Sequence, residues 1–231
     1  MTVISAASSK GGVGKTTTVI ILGTELARMG FKVTLVDCDN LTHSLTRWSK
    51  KAPIADNLKV VSDVSETNIA NIIKEHGKNG GIVIVDLPGV VSRMTKNALA
   101  ETDLLIVPMA DSSIDAIVGV DVIKLVRLEE KRLNKDIKHM VALTQTSHTP
   151  SREERRLRKS LNANNVGIID PTISRRVAFK ALFFHGGTLH DKVEGKKSMA
   201  DENGLEAAKA NAKAFANAVL GLVQNGNNDE R

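Results

Sequence analysis

A glycine-rich loop contains the residues of this sequence whose types and spacing are best suited to bind a phosphate group. Residues 8–17 read SSKGGVGKTT and lie between a short apolar run and an amphipathic segment. Glycines let several backbone N–H groups turn toward one anion, and the amino end of a following helix adds positive potential. In this pattern Lys15 reaches the β- and γ-phosphates of a nucleoside triphosphate, and the Thr16 hydroxyl binds Mg²⁺. The predicted nucleotide-binding residues of the loop are Gly11, Gly12, Val13, Gly14, Lys15, Thr16 and Thr17.

Two apolar runs end in carboxylates that suit such a site. Residues 82–86 read IVIVD, and residues 33–37 read VTLVD, followed by Cys38 and Asp39. An apolar run that ends in an aspartate downstream of a phosphate loop is the pattern of a Mg²⁺-binding carboxylate, and it predicts Asp86 as a metal residue. Asp37 and Asp39 suit water or metal binding, because a divalent ion offsets their charge. Asp39 also suits the N-cap of a following helix.

Short β-branched runs alternate with longer amphipathic segments along the chain. The predicted strands cover residues 3–7, 32–37, 58–61, 82–86, 104–108, 139–144 and 166–169. The predicted helices cover residues 15–29, 65–78, 112–133, 152–162 and 205–223. Strands separated by helices indicate an α/β fold with a mostly parallel, twisted sheet and helices on both faces. We predict one domain over residues 1–224, with its ligands at the carboxyl ends of the strands, and a flexible polar tail over residues 225–231.

The Lys10-Gly11-Gly12 opening of the loop resembles the deviant Walker A motif of the ParA/Soj/MinD family of P-loop ATPases. The resemblance covers residues 3–223, and it is strongest to short plasmid-type ParA proteins that lack an N-terminal helix-turn-helix. It implies ATP and Mg²⁺ as cofactors and an ATP-dependent homodimer in which Lys10 reaches the partner's phosphates. A lysine at this place could also be a plain surface residue.

The resemblance also implies roles for residues near the strand ends. Asp39 would orient or activate the attacking water, which makes the predicted catalytic residues Lys10, Lys15 and Asp39. Asp37 would lie close to the ion, which makes the predicted metal residues Thr16, Asp37 and Asp86. The loops that flank adenine in the family correspond to Thr144, Pro171 and Thr172. The sequence departs from the family at Asn40-Leu41, where the family has Pro-Gln.

Basic residues concentrate in one segment of the chain. Residues 151–197 carry 11 Lys+Arg against 5 Asp+Glu, a surplus equal to the net charge of +6. Such a segment indicates a polyanion, either nucleic acid or anionic lipid, or else a solvated face. Ser151 and Glu154 form a capping box before one basic helix, and residues 172–180 resemble the family stretch that carries DNA-contacting arginines. We predict contacts to DNA phosphates, with ion pairs to Glu153 and Glu154 as the alternative, for Arg152, Arg155, Arg156, Lys159, Arg175, Arg176 and Lys180.

The composition excludes several function classes. The single cysteine, Cys38, rules out an intramolecular disulfide and the two cluster cysteines of the nitrogenase iron protein, and the absence of tyrosine rules out a tyrosine-cluster kinase. The six histidines show no metal-ligand spacing. No apolar run approaches the roughly 18 residues of a membrane span. Residues 204–223 have a small apolar face, so no membrane partner is expected. Trp48 is predicted to be a packing residue.

The resemblance implies an ATP-dependent partition ATPase of the cytoplasm and nucleoid. Such a protein dimerises on ATP, binds double-stranded DNA without sequence specificity and is stimulated by a ParB-like centromere-binding or cargo-adaptor protein. One alternative is a ParA-like protein that positions a protein cargo, such as a carboxysome or a chemoreceptor array. Another is a nucleotide-gated DNA-binding scaffold in which hydrolysis is incidental. A MinD-like membrane regulator is a more distant alternative.

Overall fold

A parallel β-sheet forms the centre of the computed structural model, which describes residues 1–8, 10–88, 92–110, 113–191 and 200–226, with the backbone alone at 113–121 and 225–226. The strands are β1 (Thr2–Ala6), β2 (Val33–Asp37), β3 (Leu58–Val61), β4 (Ile82–Asp86), β5 (Leu104–Ala110), β6 (Lys138–Thr146), β7 (Gly167–Ile168) and β8 (Ile173–Ser174). Their order is β3-β2-β4-β1-β5-β6-β7, and β8 also pairs with β6. All of these described pairings are parallel, which confirms the predicted α/β class.

Helices cover both faces of the sheet. They are α1 (Lys15–Arg28), α2 (Ser44–Ser49), α3 (Ile69–Gly77), α4 (Arg93–Ala100), α5 (Ser113–Leu133), α6 (Arg152–Ala163), α7 (Val177–His185) and α8 (Glu202–Gly226). One core joins the sheet to α1, α2, α7 and α8, and a second core joins the opposite face to α3, α4, α5 and α6. Strand β4 contributes to both cores, with Ile82 and Ile84 in the first and Val83 and Val85 in the second. Such an apolar run is what a strand covered on both faces requires.

The predicted strands agree with the observed ones within two residues at each end, and β3 and β4 have the predicted bounds. Four elements were not among the predicted strands and helices, and none of them exceeds nine residues, namely α2, α4, α7 and β8. Elements this short give little periodic signal. Helix α8 reaches Gly226, two residues into the predicted tail. Residues 227–231 of the predicted tail and Ser9 of the phosphate loop lie outside the described residues.

Trp48 is a packing residue, as predicted. Its side chain is fully buried in the core between α1, α2, α7 and α8. Its indole Nε1 donates to the Gly187 carbonyl at 2.9 Å, which ties α2 to the segment after α7. In the part of the chain that the structure describes, no helix combines the length and apolar character needed to cross a membrane.

Candidate functional site

A cavity of about 450 Å³ lies at the carboxyl edge of the sheet and brings together three segments. These are the phosphate loop, the turn after β2, and a wall made by the end of β6, β8 and the start of α7. The predicted site residues that line it are Lys10, Gly11, Gly12, Gly14, Lys15, Thr16, Thr17, Asp39, Thr144, Arg175, Arg176 and Lys180. The lining residues that were not named as site residues are Ser8, Thr42, Ser44, Gln145, Ile173, Ser174, Phe179 and Phe183.

The backbone of the phosphate loop requires glycine at two positions. Gly12 and Gly14 have φ angles of 81° and 85°, a region that residues with a side chain rarely adopt. Gly14 is the N-cap of α1, and its carbonyl accepts from the Thr18 N–H at 2.8 Å. The Val13 side chain is buried and does not line the cavity, which leaves the backbone of Val13 as the part that could contact a phosphate. The loop and the amino end of α1 together form a site suited to an anion.

Asp86 is fully buried and contacts two residues of the loop. The Lys15 ammonium donates to one carboxylate oxygen, and the Thr16 hydroxyl donates to the other at 2.7 Å. Burial raises the pKa of Asp86, and the Lys15 charge and the two hydrogen bonds oppose that rise. The Thr16 and Asp86 oxygens are ligands that Mg²⁺ accepts. The described residues hold no cluster of three or more His, Cys, Asp or Glu side chains for a metal. A sparse donor set fits Mg²⁺, which keeps waters and binds substrate phosphates.

Asp37 is held by protein donors and is absent from the cavity lining. One oxygen accepts from the Asp39 N–H at 3.2 Å. The other accepts from the backbone N–H and the hydroxyl of Thr46 at 2.9 and 2.7 Å. Asp37 therefore caps the first turn of α2, a contact that the sequence analysis missed together with α2. Burial raises the pKa of the neighbouring Cys38 thiol, and the charges of Asp86 and Asp37 raise it further.

Asp39 lines the cavity and orders the turn that follows β2. One oxygen accepts from the N–H groups of Leu41 and Thr42, each at 3.1 Å, and the other accepts from the Thr42 hydroxyl at 2.8 Å. Partial burial alone would raise the pKa of Asp39, but the bonds from Thr42 and Leu41 and the Lys15 charge lower it below its ordinary value. The predicted capping role is thus seen at a turn and not at a helix, since α2 begins at Ser44. Asp39 is therefore ionised at neutral pH.

The two loops predicted to flank adenine differ in their position. Thr144 lines the cavity, and its neighbour Gln145 lines it as well. Pro171 and Thr172 are absent from the lining. Thr172 instead shares a hydrogen bond of 2.8 Å with the Thr146 hydroxyl. The wall begins at the next residue, because residues 173–174 pair with β6 as strand β8, which the sequence analysis missed.

The first predicted DNA-binding group lies on α6. The Ser151 hydroxyl accepts from the Glu154 N–H at 2.9 Å, which matches one half of the predicted capping box. The Glu154 carboxylate instead accepts from Arg158 at 2.9 Å, and Arg158 also pairs with Asp170. The four predicted residues are all exposed, namely Arg152, Arg155, Arg156 and Lys159. In the parts of the chain that the structure covers, the ion pairs of α6 are made by Arg158 and by none of these four.

The second predicted DNA-binding group lies on the wall of the cavity. Arg175 and Lys180 are exposed, and Arg176 is partly buried, immediately before α7. The Nε atom of Arg176 is buried and has no hydrogen-bond partner among the residues described. Among the described residues of the cavity lining, these three and Lys10 and Lys15 make five cationic side chains against the single carboxylate of Asp39. The cavity therefore favours an anionic ligand.

Comparison with known proteins agrees with this geometry. Residues 4–189 match the family model of the CobQ/CobB/MinD/ParA nucleotide binding domain. The ParA protein of Rhizobium radiobacter is 42% identical over 221 residues, which cover 95% of this chain and 96% of that protein. This chain belongs to the ParA/MinD family. The Soj protein of Bacillus subtilis is 27% identical over 176 residues, 58% of this chain and 68% of Soj.

Solved structures share the fold of this ParA/MinD-family chain. Apo McdA from Cyanothece has a TM-score of 0.73 and 18% identity, covering 95% of this chain and 99% of McdA. MinD from Pyrococcus horikoshii, solved with Mg-ADP, has a TM-score of 0.72 and 16% identity, covering 94% of this chain and 95% of MinD. At such identities the likeness concerns the P-loop fold alone, which the sequence analysis predicted.

Proposed function

We propose that this chain is an ATP-dependent partition ATPase that dimerises on ATP and then binds nucleoid DNA. The observation that carries the proposal is the cavity in which the loop around Lys10 and Lys15 faces Asp39, with Asp86 bonded to that loop. The high identity to a ParA protein over nearly the whole chain supports partition as the process. We assign the whole of residues 1–224 to one ATPase domain.

The loop residues would hold the nucleotide and the ion. Lys15 and the backbone of the loop would bind the phosphates, and the Thr16 hydroxyl with Asp86 would hold Mg²⁺. The ion would offset negative charge on the phosphate oxygens. Asp37 lies beside Asp86 in the register of β2 and β4, so it adds negative potential there. Direct ligation by Asp37 would require it to give up its bonds to Thr46.

Asp39 and Lys10 would carry the hydrolysis. An ionised Asp39 at the cavity can accept a proton from a water molecule, or orient it, and its lowered pKa keeps it in that state. Lys10 is exposed on the cavity lining, where a second subunit can approach it. A cation supplied across a dimer would neutralise charge that develops during phosphoryl transfer. A monomer would therefore hydrolyse ATP slowly.

The basic residues would hold DNA through its phosphates. The exposed row on α6 offers positive charge without aromatic partners, which favours affinity without sequence readout. Arg175, Arg176 and Lys180 would add contacts that depend on the nucleotide, because they share its cavity. A ParB-like adaptor would stimulate hydrolysis and so release the protein from the nucleoid.

Parallel measurements of ATP binding and ATP turnover, in the presence of DNA, test this proposal. Lys15→Ala should weaken ATP binding by about 100-fold, because charge-assisted hydrogen bonds to the phosphates are lost. Asp39→Asn should bind ATP normally, since an amide oxygen can still accept from Leu41 and Thr42, but turnover should fall by about 100-fold. Lys78→Ala, an exposed lysine that does not line the cavity, serves as the control. Normal ATP affinity in Lys15→Ala would sink the proposed site.

A further inference from the structure

Two consecutive residues at the end of β6 bind two consecutive carbonyl groups of the phosphate loop. The Thr144 hydroxyl donates to the Val13 carbonyl at 2.6 Å and to the Met109 carbonyl at 3.2 Å. The Gln145 side-chain amide donates to the Gly12 carbonyl at 2.8 Å. The two contacts to the loop join segments that lie more than 130 residues apart in the sequence. The loop is thus held from outside by side chains that belong to another strand.

The bonded carbonyls determine where the loop N–H groups point. A trans peptide carries its C=O and its N–H on opposite sides. The Gly12 carbonyl shares a peptide group with the Val13 N–H, and the Val13 carbonyl shares one with the Gly14 N–H. Holding both carbonyls toward β6 therefore turns both N–H groups away from β6. N–H groups that share one orientation are what such a loop uses to bind a phosphate.

The backbone of Gln145 has an uncommon conformation. Its φ angle is 55°, in the left-handed region. The other described residues with a side chain and a positive φ are asparagine or histidine, types that are enriched there, namely His43, Asn79, Asn134 and Asn165. Glutamine has no such preference. A conformation of this kind persists only where the surroundings hold it, and it is common at functional sites.

We propose that Gln145 is a positioning residue of the phosphate loop. Its side-chain amide holds the Gly12 carbonyl, so that the Val13 and Gly14 N–H groups are already oriented before a nucleotide phosphate binds. The inference rests on the proposed function in that it takes a nucleotide as the ligand. Gln145 is partly exposed, whereas Thr144 is buried and also bonded to Met109. Substitution of Gln145 therefore probes the loop with little disturbance of the core.

The test compares Gln145→Gly with Asn165→Gly. Both changes relieve a left-handed backbone of nearly the same φ, but Asn165 is exposed and does not line the cavity. Both variants should keep the melting temperature of the parent or exceed it, because glycine adopts this region without strain. Only Gln145→Gly should bind Mg-ADP more weakly, by about two- to tenfold, as expected for one lost hydrogen bond. Gln145→Glu, which has the same length but no donor, should weaken binding in the same direction.

A second measurement, ¹⁵N relaxation of the nucleotide-free protein, reports on the loop itself. The order parameters of Val13 and Gly14 should fall in Gln145→Gly and stay unchanged in Asn165→Gly. Unchanged Mg-ADP affinity and unchanged order parameters in Gln145→Gly would overturn the inference. Failure of the parent protein to bind any adenine nucleotide would contradict the proposed function, and the order parameters would still decide the role of Gln145.

Discussion

Two groups of basic residues belong to one basic segment of the sequence but occupy different environments. The α6 group, Arg152, Arg155, Arg156 and Lys159, is exposed along one helix. The cavity group, Arg175, Arg176 and Lys180, shares its cavity with the phosphate loop. A run of positive charge in a sequence therefore indicates an anionic ligand without telling which one. An exposed helical row suits an extended polyanion, whereas cations around a cavity suit a small anion.

Removing the α6 group should have the largest effect on DNA binding. Replacing its four members with glutamine should reduce affinity for random-sequence DNA and flatten the slope of log K against log salt by about 3.6 per bound subunit, since each phosphate contact contributes about 0.9. Arg158 is left unchanged in this variant, because it pairs with Glu154 and Asp170. Affinity for Mg-ADP should not change. An unaltered salt slope would show that DNA binds elsewhere.

Removing part of the cavity group should mainly weaken the binding of the nucleotide. Arg175→Ala combined with Arg176→Ala should weaken Mg-ADP binding by about tenfold, because two cationic side chains of the cavity lining are removed. The DNA salt slope should flatten by less than about 1.8, the limit for two phosphate contacts. Calorimetry with Mg-ADP and salt titrations with DNA measure the two effects. Normal Mg-ADP affinity together with a large change of the DNA salt slope would show that the cavity group binds DNA as the α6 group does.

A change at the cap of α6 should have the smallest effect. Ser151→Ala removes the acceptor of the Glu154 N–H and should lower the free energy of unfolding by about 1 kcal/mol, as typical caps do. The charges of α6 remain, so the DNA salt slope should stay the same. Ser151→Asp, which restores an acceptor, should recover the stability in denaturant titrations. A change of slope in Ser151→Ala alone would mean that helix order, and not charge alone, governs DNA binding.

The parts of the site that could be predicted are those whose residues lie close together along the chain. The phosphate loop has its glycines, Lys15 and Thr16 within a few residues between a strand and a helix, so neighbouring residues are enough to recognise it. Asp86 and Asp39 could be found because parallel strands end at the same edge of the sheet. Strands β2 and β4 were equally clear, since their apolar runs fit burial on both faces.

Other parts of the site depend on tertiary contacts that no local pattern encodes. The bonds from Thr46 to Asp37 could not be foreseen, because they require α2, a helix of only six residues. Gln145 reaches Gly12 across 133 residues, and only the pairing of β6 in the sheet brings them together. Phe179 and Phe183 enter the cavity wall through α7, whose nine residues give little periodic signal.

Equilibrium binding of random-sequence double-stranded DNA tests the central claim that ATP gates DNA binding. The protein is titrated at one moderate salt concentration with Mg-ATP, with Mg-ADP and without nucleotide. Tight binding only with Mg-ATP is the predicted result, because dimerisation would align two α6 groups on one DNA. Equal affinity in all three states would contradict the account and would favour a scaffold that binds DNA regardless of its nucleotide.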